Sequence, residues 1–365
     1  MNSKNELNNI RTLAFYLPKY HPIPENDVWW GKGFTELTNT SKAKPLFPGH
    51  YQPHLPADLG FYDLRLPETR RAQAMLAKES GLGGFIYWHY WFGNGKQLLE
   101  RPFNEVLDSG QPDFPFCLAW ANQSWTGKWH GLHDKILIEQ TYPGKDDYIA
   151  HFYHLLNAFH DPRYLRIDNK PVFIVFSPQL LPDGKFFTAL WNELALKNGL
   201  EGIYFIWIHY EDWNFREDGF DWKTFHQPSH YLTDLGKAHP WKTMLSMLTD
   251  LIFSQSPKRF DFKKLVTIYQ FKRFNEDDVI PTIIPNWDNT PRSGKRGWVF
   301  ENTTPELFKQ HLRSAIDSVK YKPQDKRIVF VKSWNEWAEG NYLEPDLRWG
   351  HGFLNAIREV LAEYE

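Results

Sequence analysis

Short, continuously apolar runs recur along the chain, each ending in polar or aromatic residues. They fall at Arg11–Leu17, Gly84–Trp88, Phe114–Trp120, Pro171–Phe176, Gly202–Ile208, a weaker one at Phe220–Phe225, Ile280–Pro285 and Arg327–Ser333. Continuous rather than alternating hydrophobicity is the pattern of parallel strands buried on both faces. Between the runs lies helix punctuation. Pro67 opens a helix that stops at Gly81, Asp146 opens one reaching Phe159, and Phe187 to Asn198 closes at Gly199. Thr304-Pro305 begins another, with Phe308, Leu312, Ala315 and Ile316 as its stripe, and Phe353 to Tyr364 closes the chain. Strand then helix, repeated eight times, predicts an α/β fold: a single (β/α)8 barrel over residues 1–365 with long βα loops, residues 1–10 forming a disordered tail.

Two stretches resist the pattern. Ile23 to Gly60 is rich in Pro and Gly and too long for a simple βα connection, and such loops are often functional. Ser229 to Asn275 holds one or two helices before the seventh strand.

Active sites of such barrels lie at the C-terminal ends of the strands. The residues there are Tyr16, Tyr20 and His21 after the first run; Trp88, His89 and Tyr90 after the second; Trp120 and Asn122 after the third. His209 and Tyr210 follow the fifth, Trp287, Asp288 and Arg292 the seventh, and Trp334, Asn335, Glu336, Glu339 and Glu344 the eighth. Aromatic rings beside polar groups suit a sugar, whose apolar faces stack on rings while its hydroxyls find hydrogen bonds. Glycosidic cleavage usually needs two carboxyl groups, and Glu336 and Glu339 are the candidate pair. A helical turn sets their Cβ atoms about 5–6 Å apart; an extended chain sets them roughly 10 Å apart. Spacing therefore fixes neither inversion nor retention. Asp288 and Glu344 are substitutes, with Asp288 also a candidate partner for Arg292.

Composition narrows the classes. With 42 basic and 44 acidic residues the net charge is −2, which offers no field for a polyanion, so nucleic acid is not an expected partner. The aromatic fraction is 17%, with 17 Trp, and this favours a sugar cleft modestly over a merely bulky core. A lone cysteine, Cys117, excludes a disulfide framework and a cysteine zinc cage. No metal-ligand spacing, glycine-rich phosphate loop or GxSxG elbow is present, so no cofactor or metal is expected. The polar first residues and the absence of a long apolar run predict no membrane span and a cytoplasmic location; oligomeric state is not legible.

Further motifs carry a family resemblance. Ala14-Phe15-Tyr16-Leu17-Pro18-Lys19-Tyr20-His21-Pro22, then Trp30-Gly31-Lys32-Gly33-Phe34-Thr35-Glu36, Gln52-Pro53-His54, Trp287-Asp288-Asn289-Thr290-Pro291-Arg292 and Trp334 to Gly340 together resemble the WbsX-like family of bacterial surface-polysaccharide genes. That family is similar to glycoside hydrolase family 99, endo-acting α-mannosidases and mannanases. The resemblance covers about residues 11 to 361 and implies a retaining enzyme acting on an α-linked oligosaccharide or polysaccharide such as O-antigen. It implies that Glu336 deprotonates the sugar's 2-hydroxyl, which attacks the anomeric carbon to give a 1,2-anhydro sugar. Glu339 would protonate the departing oxygen and then activate water, with Asn335 holding substrate and Tyr16 or Tyr20 lining the floor. Ala338 stands where family 99 typically has His, which bears on sugar preference. Two other classes fit the aromatics: a glycosyltransferase of surface-polysaccharide synthesis, for which no DxD motif is present, and a carbohydrate-binding barrel without catalysis.

Overall fold

The computed structural model describes residues 10–127, 135–209, 214–232, 256–268 and 278–365. The expected eight apolar runs form parallel strands: β1 (Arg11–Tyr16), β2 (Gly84–His89), β3 (Phe116–Trp120), β4 (Lys170–Val175), β5 (Tyr204–His209), β6 (Trp222–Phe225), β7 (Val279–Ile280 and Thr282–Ile283) and β8 (Ile328–Val331). They hydrogen-bond in sequence order, with β1 also paired to β8. The barrel closes through β7, which Pro281 divides. Its first half pairs with β6 through Ile280 and Thr224, and its second with β8 through Thr282 and Phe330. A proline lacks the N–H that an unbroken ladder needs, yet its carbonyl still accepts from Phe330 N at 2.9 Å. The fold is a (β/α)8 barrel.

The helices are α1 (Pro24–Trp30), α2 (Glu36–Lys42), α3 (Pro67–Glu79), α4 (Arg101–Ser109), α5 (Lys145–His160), α6 (Gly184–Lys197), α7 (Phe262–Ile268), α8 (Thr290–Ser293), α9 (Pro305–Val319) and α10 (Gly352–Ala362). The expected punctuation marks α3, α5, α6, α9 and α10, although α6 opens at Asp183 rather than Phe187; α1, α2, α4 and α8 carry no such mark. The Thr304 hydroxyl caps α9 by accepting from Leu307 N at 3.2 Å, and Phe308, Leu312, Ala315 and Ile316 bury its inner face. Each such side chain, fully buried, stabilises the fold by roughly 1.5–3 kcal/mol where it is as large as Leu or Phe. The long Ile23–Gly60 segment contains α1 and α2. Of the unclear Ser229–Asn275 stretch, the described part holds α7 and the strand Lys258–Asp261, which pairs with Trp298–Glu301 beside the barrel. Among the described residues no helix is long and apolar enough to cross a membrane.

Candidate active site

The segment after β8 carries both glutamates. Asn335 and Glu336 pair antiparallel with Tyr342 and Asn341, and a single 3-10 turn over Trp337–Glu339 makes the bend. Neither the helical nor the extended spacing applies, because the pair straddles the junction of strand and turn. Gly340 completes the bend at φ +59°, and a Cβ there would lie 2.8 Å from Asp288 N. Only glycine combines that left-handed angle with that approach. Asp288 N in turn donates to Glu339 O at 2.7 Å, tying the bend to the end of β7.

Beneath the bend lies a buried polar bracket. Asn335 exchanges hydrogen bonds with Leu17 N (2.7 Å) and Leu17 O (3.1 Å), and the Tyr20 hydroxyl donates to Asn335 O. Glu344 accepts from Trp337 Nε1 at 2.6 Å, Gln73 Nε2 at 2.7 Å and the Tyr62 hydroxyl at 2.9 Å. Burial nevertheless pushes the Glu344 carboxyl up to about 7. Trp337 stacks on Tyr342 with ring centroids 3.8 Å apart. Asp288 plays a matching part on the β7 side, accepting from His50 Nε2 (2.7 Å), Gln52 Nε2 (2.6 Å) and the Thr290 hydroxyl (2.6 Å). Burial opposes its ionisation, but these hydrogen bonds and the nearby His54 hold its carboxyl below the usual range.

Above the bracket sit the acids. Glu336 and Glu339 are 6% and 8% exposed, so water screens them little. The Trp88 indole donates to Glu336 Oε1 at 3.1 Å. Arg292 donates to Glu339 Oε1 at 2.6 Å and, through Nε, to Glu36 Oε1 at 2.7 Å. Lys19 Nζ lies 4.0 Å from the other Glu36 oxygen. Burial raises Glu336 strongly, and the neighbouring Glu339 charge adds to it. For Glu339 burial is the largest influence and acts upward, but the Arg292 guanidinium, the Lys332 ammonium and a hydrogen bond with Glu336 together outweigh it and hold the group below its ordinary value. The surroundings therefore push the two carboxyls apart, Glu336 upward and Glu339 downward. This order is the reverse of the roles that the family resemblance implies.

The barrel interior supplies the floor. Trp88 stacks on Phe15 at 4.9 Å and meets Phe176 edge-on at 5.5 Å, and Phe176 meets His226 at 5.2 Å. Lys332 Nζ sits 5.2 Å from the Trp287 ring centroid. Tyr90 stands edge-on to Trp125 at 5.0 Å, within electrostatic reach of Glu336, Arg292 and Glu36. Among the expected site residues, then, the structure brings together Trp88, Tyr90, Trp287, Arg292, Glu336 and Glu339.

The others go elsewhere. Tyr16 points out of the barrel and donates to Gln73 on α3 at 2.7 Å, so it does not line the cleft floor. His89 also points outward, meeting His151 of α5 at 2.8 Å. Trp120 packs on the same outer layer, its indole donating to Trp91 O at 2.9 Å. Asn122 joins the ends of β3 and β4 by accepting from Ser177 N at 2.7 Å. His21 is buried among Asp63, Arg65, Arg101 and Glu105, and burial lowers its pKa to about 4. Trp334 is wholly buried against Phe85 at 5.2 Å, while Tyr20, Asn335 and Glu344 belong to the bracket. Asp288 does not pair with Arg292; Glu36 and Glu339 do. Tyr210 and the side chain of His209 lie outside the described residues.

Sequence reasoning passed over Glu36, Lys332 and Phe176 as site residues, while Lys19 falls at the end of the first run within the quoted Ala14–Pro22 motif. Glu36 closes the quoted Trp30–Glu36 motif at the start of α2, which was the available signal. Among the described residues no cluster of His, Cys, Asp and Glu fits a metal ion.

Comparison with known proteins places the chain. The family model described as Glycosyltransferase WbsX matches residues 12–357. The chain belongs to that family. A relative from Xanthomonas campestris pv. campestris strain B100, titled uncharacterized protein WxcX, is 39% identical over 351 residues, which is 96% of this chain and 49% of the relative. The corresponding protein of strain ATCC 33913 is equally similar, so the chain spans about half the length of these relatives. The GH99 endo-alpha-mannosidase from Bacteroides thetaiotaomicron superposes with a TM-score of 0.59 at 15% identity, covering 97% of each chain. A glycoside hydrolase-like protein gives 0.57 at 15% identity, covering 98% of this chain and 95% of its own. At that identity the likeness shows the barrel fold. Membership of the WbsX family points to a glycan-processing enzyme.

Proposed function

We propose that the chain cleaves an α-glycosidic bond in a bacterial surface polysaccharide or related glycan, with Glu336 and Glu339 as its acid–base pair. The observation that carries this reading is two buried carboxyls on one hydrogen-bonded bend at the barrel mouth, above an aromatic floor, with the Arg292 guanidinium on Glu339 alone. A pair of groups whose surroundings push their pKa values apart is what general acid–base chemistry requires. Trp88 and Trp287 bring aromatic surface beside the acids, of the kind that packs against sugar rings.

In the retaining route that the family 99 likeness suggests, Glu336 takes the proton of the sugar's 2-hydroxyl as that oxygen attacks the anomeric carbon. Glu339 gives a proton to the departing glycosidic oxygen. A 1,2-anhydro sugar results, and water opens it with the reverse proton transfers. A high intrinsic pKa makes Glu336 a strong base once it is ionised. The route requires substrate to raise Glu339 relative to Glu336, and a sugar hydroxyl that draws Arg292 away from Glu339 acts in that direction.

Glycosyl transfer is the second reading, favoured by the description of the family itself. One experiment separates them. The protein is incubated with a panel of α-linked surface polysaccharides and α-mannans, and in parallel with nucleotide-sugar donors plus acceptor glycan. New reducing ends from a polysaccharide alone support hydrolysis. Donor consumption that requires an acceptor supports transfer. Neither product would contradict both.

A further inference from the structure

Lys332 enters the barrel mouth where a neutral side chain would serve packing equally well. It follows β8, where side chains alternate between faces. Phe330 faces the interior, edge-on to Phe15 at 5.7 Å, so Lys332, two residues on, shares its face. Lys332 is 7% exposed, its ammonium over the Trp287 ring, and it acts electrostatically on Glu336, Glu339 and His226. Yet among the described residues its Nζ makes no ion pair within 4.0 Å, whereas Glu36 occupies Lys19 and Arg292, and Arg292 also occupies Glu339. Among the described residues the Trp287 indole N–H beside it is buried without a hydrogen-bond partner.

The cations at the mouth are not matched alike. Lys19 and Arg292 lie within 4.0 Å of Glu36 or Glu339, whereas among the described residues Lys332 meets no carboxylate that close. Holding a buried ammonium without a counter-ion is costly. A ligand that brings the anion removes that cost.

We infer that the cleft takes a sugar bearing an anionic group, and that Lys332, with the Trp287 indole N–H, is the site that receives it. This rests on the glycan reading above and names the substrate class for it. The anion has two chemical sources, the carboxylate of a uronic acid or the phosphate of a glycosyl phosphate. A neutral sugar leaves the ammonium unmatched.

Binding by the whole chain is measured by titration calorimetry and tryptophan fluorescence. The probes are methyl α-mannoside and methyl α-glucoside, the matching methyl uronosides, and α-mannose 1-phosphate. Lys332→Met and Lys332→Arg are tested alongside, with circular dichroism to establish that each folds. Wild type is expected to favour an anionic probe over its neutral partner by about tenfold or more, the size of one charge-assisted hydrogen bond. Lys332→Met loses that preference while keeping the neutral affinity, and Lys332→Arg retains part of it. Preference for the uronosides identifies carboxylate; preference for the phosphate identifies a glycosyl phosphate. Equal affinity for charged and neutral probes, or a preference unchanged in Lys332→Met, overturns the assignment of Lys332 alone. Wild type that binds no probe of either kind contradicts the glycan reading beneath it.

Discussion

Arg292 is the residue on which the charge of the site turns. Its guanidinium joins Glu36, wholly buried at the start of α2, to Glu339 on the closing bend. Removing it in Arg292→Met leaves Glu339 without the cation that favours its charged form, so both ionisations of the glutamate pair move upward. The bell-shaped pH profile of kcat/KM is expected to shift as a whole to higher pH, with a loss of about 10- to 100-fold at neutral pH, a range usual for a positioning contact. A fall in rate without a shift in the profile would mean that Arg292 only binds substrate. The roles within the pair are separable by leaving group. An activated aryl glycoside does not need protonation on departure, so it is expected to restore activity to Glu339→Gln by orders of magnitude and not to Glu336→Gln. Rescue of Glu336→Gln instead would exchange the two roles and agree with the order of the two carboxyls in the free cleft.

At the scale of elements, the bend after β8 is held from below by Asn335, Tyr20 and Glu344, and from the side by Asp288. Gly340 is its tightest point. Gly340→Ala puts a Cβ 2.8 Å from the Asp288 backbone nitrogen at φ +59°. Left-handed backbone costs about 1–2 kcal/mol and overpacking about 1–3 kcal/mol, so a loss of roughly 2–5 kcal/mol is expected in denaturant unfolding. An unchanged unfolding midpoint would show that the bend is less constrained than these contacts indicate.

This scale also explains what the sequence made legible. Most of the eight runs announced themselves because parallel strands covered on both faces have few polar interruptions; the sixth, with Asp221 and Lys223 in it, was the faint one. For the same reason they conceal which residue faces inward. Phe15 and Trp88 enter the barrel while their neighbours Tyr16 and His89 face the helices, and no alternation of polarity marks the difference. A tyrosine or histidine at a strand end was therefore assigned to the rim when half of such positions lie behind it. The closing pair of acids was legible because both fall in one short segment. Glu36 with Arg292 was not, since 256 residues separate them and only the folded loop brings them together.

For the whole molecule, buried histidines dominate the response of stability to pH. Burial lowers His89 and His311 to about 3 and His21 to about 4, and it also lowers His54, His151 and His226. Below the ordinary histidine value near 6.5 the unfolded chain takes up protons that the folded chain refuses, so stability falls on acidification. Glu344, raised to about 7, and Glu336, raised to about 8, act in the opposite sense: their contributions favour folding at low pH and are lost as pH rises through 7 and 8. The histidines outnumber them, so Tm is expected to rise between about pH 4.5 and 6.5 and to decline slightly between about 7 and 8. A Tm that is flat or falling over the lower window would contradict the neutral burial of these rings.

Product release from an α-linked polysaccharide, compared between wild type, Glu336→Gln and Glu339→Gln, bears most directly on the proposed pair. Oligosaccharides released by wild type and reduced by at least about 10³-fold in both variants, with glycan binding retained, are the predicted result. Cleavage that survives both substitutions would place the chemistry elsewhere in the barrel.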